Sequence, residues 1–487
     1  MSNDLPRGWT EVRLKDLLTE DLVNGRSVPT RHDGFPVLRL TALRSGIVDP
    51  SESKGGAWTE EEAAPFLVQP GDLLVSRGNG SRALVGRGAL VSDMTPPVAF
   101  PDTMIRIRID NQLMDLKFLR LVWESRVVRR QIEAAARTTA GIYKINQRIL
   151  GGITLPLPPV NEQHRIVTTA ENHLTRIDAG VAGVREVIRR ARSLRDTITE
   201  RGSLGYFTSS QRGPKVLAPA SAHDGTLPDL PEGWSWARLD ELANVVGGVT
   251  KDSKKQWDPA YVEVPYLRVA NVQRGRLDLA EIMTIRVPEK KAENLRLQPG
   301  DVLLNEGGDR DKLGRGWVWE GQIDKCIHQN HVFRARVRDG VIHPKLLAWH
   351  ANGFGKSWCD RNGKQSVNLA SISLTKIKLL PVAIPPQPEQ EGIVEFIETQ
   401  TAVFDAMIAS AEKSLARAGH LRELVLWHAV TGKLADQDEA DEHASLTLQQ
   451  VRAARDLGTP KPQRRKPARP RSTTASSAPS AIQESLL

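Results

Sequence analysis

The chain has 487 residues, is 40% hydrophobic and carries a formal net charge of +9. That length calls for about two to four domains, and that hydrophobic share is too high for a disordered protein. No stretch approaches the roughly 20 apolar residues of a membrane span. With Cys326 and Cys359 as its only cysteines, the chain has no disulfide framework and fits a reducing cytosol. The positive balance favours a polyanionic partner, most simply nucleic acid.

From the start, "MSNDLPRGWTE" has neither a basic n-region nor an apolar core, so no secretory signal is expected there. "LPRGWTEVRLKDL" (Leu5 to Leu17) returns later as "LPEGWSWARLDEL" (Leu230 to Leu242). "FPVLRL" (Phe35 to Leu40) returns as "VPYLRV" (Val264 to Val269), and "VQPGDLLVSRGNG" (Val68 to Gly80) as "LQPGDVLLNEGGD" (Leu297 to Asp309). "LPLPPVNEQHRIV" (Leu155 to Val167) returns as "VAIPPQPEQEGIV" (Val382 to Val394). The offsets are 225, 229, 229 and 227, so the chain is an internal repeat of two halves.

Each half opens with short β-type runs between Gly, Pro and Asp, such as "GDLLVS" and "TMIRIRI", then "GDVLLN" and "HVFRARV". Helical pieces are interleaved at Lys117 to Ala136 and Pro344 to Gly353. These segments predict two similar α+β domains.

Each half then enters one long helix. The Pro-Pro segments cannot be helical inside, so Asn161 and Pro388 are expected at the first helical position. Glu162 and Glu389 fall in the first turn, favourable against the helix dipole, and Gln163 and Gln390 can reach back to the cap. Apolar residues step by three and four through Leu174, Ile177, Val181, Val184, Ile188 and Ala191, then Leu194 and Ile198 after one skip. The second stripe runs Phe404, Ile408, Ala411, Leu415 and Ala418, then Leu421 and Val425. Two coiled-coil seams of this kind, each on about 65 Å of helix at 1.5 Å per residue, predict an antiparallel pair acting as a rigid spacer. Gly205 and Gly432 mark the two ends.

The expected division is a first globular domain at 1–157, a first spacer helix region at 158–207 and a linker at 208–229. A second globular domain at 230–383 and a second spacer helix region at 384–434 follow, with a disordered Pro-, Ser- and Arg-rich tail at 435–487. From Asp436 to Leu487 there are eight Lys/Arg and seven Asp/Glu, so the body keeps +8 of the charge.

Two globular domains on a rigid spacer read as two heads on a ruler, suited to half-sites about 34–36 Å apart. The halves differ most in their loops, Ser76 to Gly88 against Asn305 to Gly316 and Arg137 to Arg148 against Asp360 to Ser371. Their Arg, Lys, Asn and Gln suit base edges and phosphates. The candidate DNA contacts are Arg77, Asn79, Arg82, Arg87, Tyr143, Lys144, Asn146 and Gln147 in the first half. In the second they are Asn305, Arg310, Lys312, Arg315, Lys364, Gln365 and Asn368.

The doubled "PLPPVNEQ" and "IPPQPEQ" helix starts, the doubled "LPxGW" openings and the "QPGDLL" and "QPGDVL" strands resemble the specificity subunit of type I restriction-modification enzymes, over about residues 5 to 434. That resemblance implies two target-recognition domains, each reading half of a bipartite sequence, alternating with long helices in an antiparallel coiled coil. It implies double-stranded DNA, two methyltransferase and two restriction subunits as partners, in the cytoplasm and with no membrane. Carried over, Pro159, Glu162, Gln163, Pro386, Glu389 and Gln390 stand at the starts of the helices that dock the partners. No catalytic residue, cofactor or metal is implied for this chain; S-adenosylmethionine, ATP and Mg would serve the partner subunits, an adenine-N6 methyltransferase and an ATP-dependent endonuclease.

Rival readings are weaker. Asp102, Asp115 and Lys117 could hold Mg²⁺ for phosphodiester cleavage, but the second half has no equivalent and Asp115 reads as a helix cap. Cys326, His328 and His331 match no zinc spacing. "LPPV" and "IPPQ" lack the acid or amide and the aromatic of a methyltransferase motif. A non-specific nucleic-acid-binding coiled-coil scaffold or adaptor is the alternative, but it leaves the divergent loops unexplained.

Overall fold

The structure is a computed structural model that describes residues 5–44, 46–92, 96–139, 141–207, 227–365 and 370–458. Most of the expected linker and Asn368 lie outside the described residues. The fold is α+β. Its contacts divide it into a unit of residues 1–177 with 420–487 and a unit of residues 178–419.

The same sheet is built in each unit. In the first its order is Val23–Asn24, Met104–Ile107, Leu73–Ser76 and Gly88–Leu90. The second has Ala243–Val246, Val332–Val337, Val302–Asn305 and Gly316–Val318 in the matching order. The strand after each "QPGD" is fully buried between its neighbours, which is why it reads as a continuous apolar run rather than an alternation. Each domain is closed by pairing its first strand with its last, Thr10↔Leu157 in one unit and Ser235↔Ile384 in the other. The strand that leads into each long helix is therefore fixed to the start of its own domain.

The "QPGD" turns also carry a repeated ion pair. Gly71 and Gly300 take φ of +91° and +93°, open to glycine without strain. Asp72 then accepts from Arg108 Nε at 2.5 Å and Nη2 at 2.9 Å, and from the Gln69 backbone N–H at 2.8 Å. Asp301 accepts from Arg336 at 2.7 and 2.8 Å and from Gln298 N–H at 2.7 Å. Both carboxylates are buried. They hold the Arg108 and Arg336 guanidiniums above their ordinary value, chiefly by these hydrogen bonds.

The long helices span Val160–Gly202 and Gln387–Val430. Each therefore begins one residue before Asn161 and Pro388, the expected first positions. In the first unit Ile166, Ala170 and Leu174 share one core with Leu426, Ala429 and Val430. In the second, Arg192 pairs with Glu412 at 2.9 Å, Arg195 with Asp405 at 2.7 Å, and Gly202 lies against Ile397. Partner numbers fall on one helix as they rise on the other, so within the second unit the two run antiparallel. The stripe from Leu174 to Ala191 is buried or half-buried, and so is Phe404 to Ala418.

Beyond the skip the expectation holds at Ile198 and Val425, which are half-buried, and fails at the stripe position before each. Leu194 and Leu421, at equivalent places, are 52% and 51% exposed. The helix ends dock instead on the domain openings. Gly205 faces Pro231 and Trp234, and Gly432 faces Pro6 and Trp9, both with φ near +70°. Tyr206 N–H bonds Arg201 O and Lys433 N–H bonds His428 O, each at 3.0 Å, closing the last turn.

The tail corrects the sequence reading as far as residue 458. Ala444–Gly458 is a helix, and Ala444 and Leu448 are buried in the first unit's core. Arg455 pairs with Asp110 at 2.8 Å, and Arg165 with Asp441 at 2.6 Å. "SLTLQQVRAARDLG" has the apolar spacing of a short amphipathic helix, masked in the sequence by the low-complexity stretch that follows. Residues 459–487 lie outside the described residues.

Candidate nucleic-acid interface

In each unit the two loop groups singled out from the sequence meet in one small sheet. Gly78–Asn79 pairs with Ile142–Lys144, which pairs with Arg137–Thr139. Gly307–Gly308 pairs with Ala370–Ser371, which pairs with Lys364–Gln365. Ile145 N–H bonds Arg77 O at 2.9 Å and Ile372 N–H bonds Glu306 O at 2.8 Å, one contact written twice. The strands are prolongations of the buried "QPGD" strands, so a rigid core element presents each sheet.

The candidate side chains divide sharply by what they already hold. Arg87, Lys144, Lys364 and Gln365 are exposed and Tyr143 is half-buried. Arg310 pairs with Asp360 at 2.5 Å and Lys312 with Asp309. Arg77 reaches Asp102 O at 3.4 Å, Arg82 bonds Glu133 O at 2.8 Å, and Arg315 bonds Val269 O at 3.4 Å. Asn79 accepts from Ser81 N–H, Asn146 caps its short helix at Ile149 N–H, and Gln147 donates to Leu22 O. Asn305 is a correction. It is fully buried, with its amide donating to Val269 O and Val272 O, so it shapes the turn beneath the sheet and is withheld from a duplex.

The helix-start residues are likewise spent inside the chain. Gln163 accepts from the Asp115 backbone N–H at 2.8 Å and donates to Leu113 O at 3.0 Å and Pro158 O at 2.9 Å. Gln390 accepts from His343 N–H at 2.6 Å and donates to Val341 O and Pro385 O. Both are buried. Rather than reaching back to their own helix cap, they clamp the helix to the capping residue of the domain's Leu116–Glu124 or Pro344–Asn352 helix. Trp234 donates to Glu389 at 3.1 Å. Glu162 lies against Trp9 in the same way, though there the indole N–H falls short of a well-formed bond. Pro159 is buried and Pro386 half-buried. Burial therefore withholds Glu162, Gln163 and Gln390 from direct contact with a partner.

The rival sites resolve into structural roles. Asp115 accepts from Lys117 and Phe118 N–H as a helix cap. Burial pushes the Cys326 and Cys359 thiols up to about 12. It pulls buried His328 down to about 4, with Nδ1 on Val332 O. Among the described residues no group of three or more His, Cys, Asp or Glu could hold a metal ion. Nor is any helix there long and apolar enough to cross a membrane.

A family model for the type I restriction modification DNA specificity domain matches residues 231–414. The chain is 28% identical to the type I restriction enzyme EcoKI specificity subunit of Escherichia coli (strain K12), covering 93% of this chain and 96% of that one. It is 21% identical to the StySPI specificity subunit of Salmonella potsdam, over 95% and 99%. The chain is similar to the type I specificity subunits over nearly its whole length. Its fold also matches a chain solved in work on complex assembly and conformational transition of the type I R-M system, with a TM-score of 0.62 at 21% identity, over 88% of this chain and 99% of that one. The family model falls on the second half, and the repeated ion pair, clamp and small sheet place the same scaffold in the first. DNA recognition is the role of such a subunit.

One buried acid in this chain makes a testable pH prediction. Burial holds the Glu162 carboxyl above its ordinary 4.5, against the opposing pull of Trp9, Gln437 and Arg165. Such an acid binds its proton more tightly folded than unfolded. Its ionisation therefore removes stability as pH rises from about 4.5 through the raised folded value. Glu162→Gln should gain on the parent across that window and hold its gain at neutral pH. Urea midpoints at pH 4 and pH 7 check this; an advantage confined to pH 4 would refute it.

Proposed function

We propose that this specificity subunit reads a bipartite, gapped and asymmetric DNA target, with one recognition domain for each half-site. The observation that carries this reading is the small sheet, built at equivalent places in both units on one scaffold and furnished with different side chains. Equal scaffolds set equal approaches to DNA, and unequal side chains select unequal bases. The division into recognition domains at 1–157 and 230–383 and spacer helices at 158–207 and 384–434 belongs to this proposal, with the segment to residue 458 added to the first unit.

The long helices serve in it as an antiparallel coiled-coil spacer and as the docking surface for two methyltransferase subunits, which two restriction subunits then join. Leu194 and Leu421, repeated and half-exposed, support the docking role, since an apolar side chain kept outward at both equivalent places suits a partner. The subunit itself supplies specificity and no chemistry, leaving adenine methylation and ATP-dependent cleavage to the partners.

Sequencing of modified bases in genomic DNA, with and without this gene and its methyltransferase partner, tests the reading. The expected result is a gene-dependent methyladenine motif with two unlike specific parts around a non-specific gap, the modified adenines about one helical turn apart. An ungapped or palindromic motif would overturn it. A scaffold or adaptor without sequence preference would leave no gene-dependent motif.

A further inference from the structure

Trp257 is 90% exposed, whereas no other large apolar side chain among the described residues exceeds 55%. Its loop is firmly held. Asp252 caps the turn at Lys254 N–H, and Gln256 donates to Asp252 O at 3.0 Å. On the other side Gln256 exchanges two bonds with the Arg286 backbone, at 3.1 and 3.2 Å. Arg286 also donates to Asp258 O and Tyr261 O, while Asp258 accepts from Ala260 N–H. The residues flanking the indole are pinned on both sides, so the ring is presented outward on a fixed mount.

The loop's root runs into the small sheet. Val249 N–H bonds His328 O and Asn330 N–H bonds Val249 O, both at 2.8 Å. Glu306 N–H bonds His331 O at 3.0 Å, and Glu306 immediately precedes Gly307–Gly308. The first unit repeats the path. Gly25 N–H bonds Met104 O, and Arg77 N–H bonds Thr103 O just before Gly78–Asn79. The segment leaving that root enters the irregular start of strand Thr30–Leu38. It carries exposed Arg26, Arg31 and His32, the last beside Asp33, while its counterpart carries exposed Lys251 and Lys254. The Asp252 and Asp258 carboxylates turn onto backbone N–H groups, leaving the lysines to set the outward charge.

We infer that segments 26–33 and 250–258 are a second DNA-contacting element in each recognition domain, with Trp257 packed against sugars and base edges in a groove and Lys251 and Lys254 on the flanking phosphates. This rests on the DNA-reading proposal above. An indole on a rigid mount loses little entropy on binding and covers a large area, the property that makes tryptophan dominant at interfaces. Because the loop's root is joined to the candidate sheet through residues 328–331 and its outward side chains are basic, the occupant is the duplex.

The test uses the full chain in complex with its methyltransferase subunits, on duplexes with and without the methylated motif. Trp257→Ala should weaken motif binding about tenfold, with thermal stability unchanged, and Trp257→Phe should recover part of the loss. Lys251→Ala with Lys254→Ala should reduce the slope of log affinity against log salt by about 2. Wild-type affinity in Trp257→Ala would overturn the inference. So would a loss confined to co-purification of the methyltransferase, which would make the indole a protein contact. If the parent complex itself shows no preference for its motif, the DNA-reading proposal fails first, and the inference with it.

Discussion

Asp301→Ala should destabilise the second unit by roughly 3 kcal/mol, and Asp72→Ala the first by a similar amount. Each substitution leaves a guanidinium without its bidentate partner and a turn N–H without its acceptor. The arginines, with side chains 23% and 32% exposed, can still reach water, which keeps the loss at the lower end for a broken buried pair. Arg108 retains Glu20 at 3.1 Å, whereas Arg336 falls back only on Arg296 O at 3.1 Å, so Asp301→Ala should be the worse of the two. Unfolding in urea followed by hydrogen exchange would locate the loss in the mutated half. A uniform change across both halves would contradict it. Under the DNA-reading proposal the consequence is functional as well, because the strand that starts at each aspartate ends at the small sheet. Loss of Asp301 should then blur one half of the methylation motif and spare the other.

Gln163→Ala and Gln390→Ala should each cost about 2–4 kcal/mol, because one buried amide satisfies one backbone N–H and two carbonyls. Gln163→Glu is the sharper test. It keeps the size and the acceptor for Asp115 N–H but replaces the group that donates to Leu113 O and Pro158 O with an oxygen. The glutamate should therefore be at least as damaging as the alanine, and more so as pH rises and the carboxyl ionises. Melting curves of the three variants at pH 5 and pH 8 would decide; a glutamate variant as stable as the parent would show that the donated bonds carry no weight. Under the docking proposal, methylation by the partner should fail before folding does, since the clamp joins the domain to its helix.

Much of the fold was legible in the residues. The repeat, the two long helices and the strand after each "QPGD" follow from local rules, namely recurring motifs, proline at helix starts, and apolar spacing of three and four. Gly205 and Gly432 were readable as helix ends because positive φ is a local property of glycine. The loops that form the small sheets were also found, through their divergence between halves rather than through any contact. The Asp–Arg pairs and the outward segments around Arg31 and Trp257 were not found. Asp72 and Arg108 lie 36 positions apart, and nothing along the chain says which arginine an aspartate will meet.

The misplaced residues share one physical cause. Asn305 and Gln163 have the side chains of ligand-reading residues, and only the packed structure shows that their hydrogen bonds are already used on nearby backbone. Leu194 and Leu421 continue an apolar stripe in sequence but point outward once the helix ends dock on Trp234 and Trp9. The segment through residue 458 looked like a tail until the first unit's core took in Ala444 and Leu448. By itself the sequence determined that there are two equivalent units with unequal loops, because periodicity and turn chemistry are written within a few residues. Only the tertiary structure decided which polar groups remain free to read DNA, because a buried donor or acceptor must find a partner and that partner is chosen by the fold.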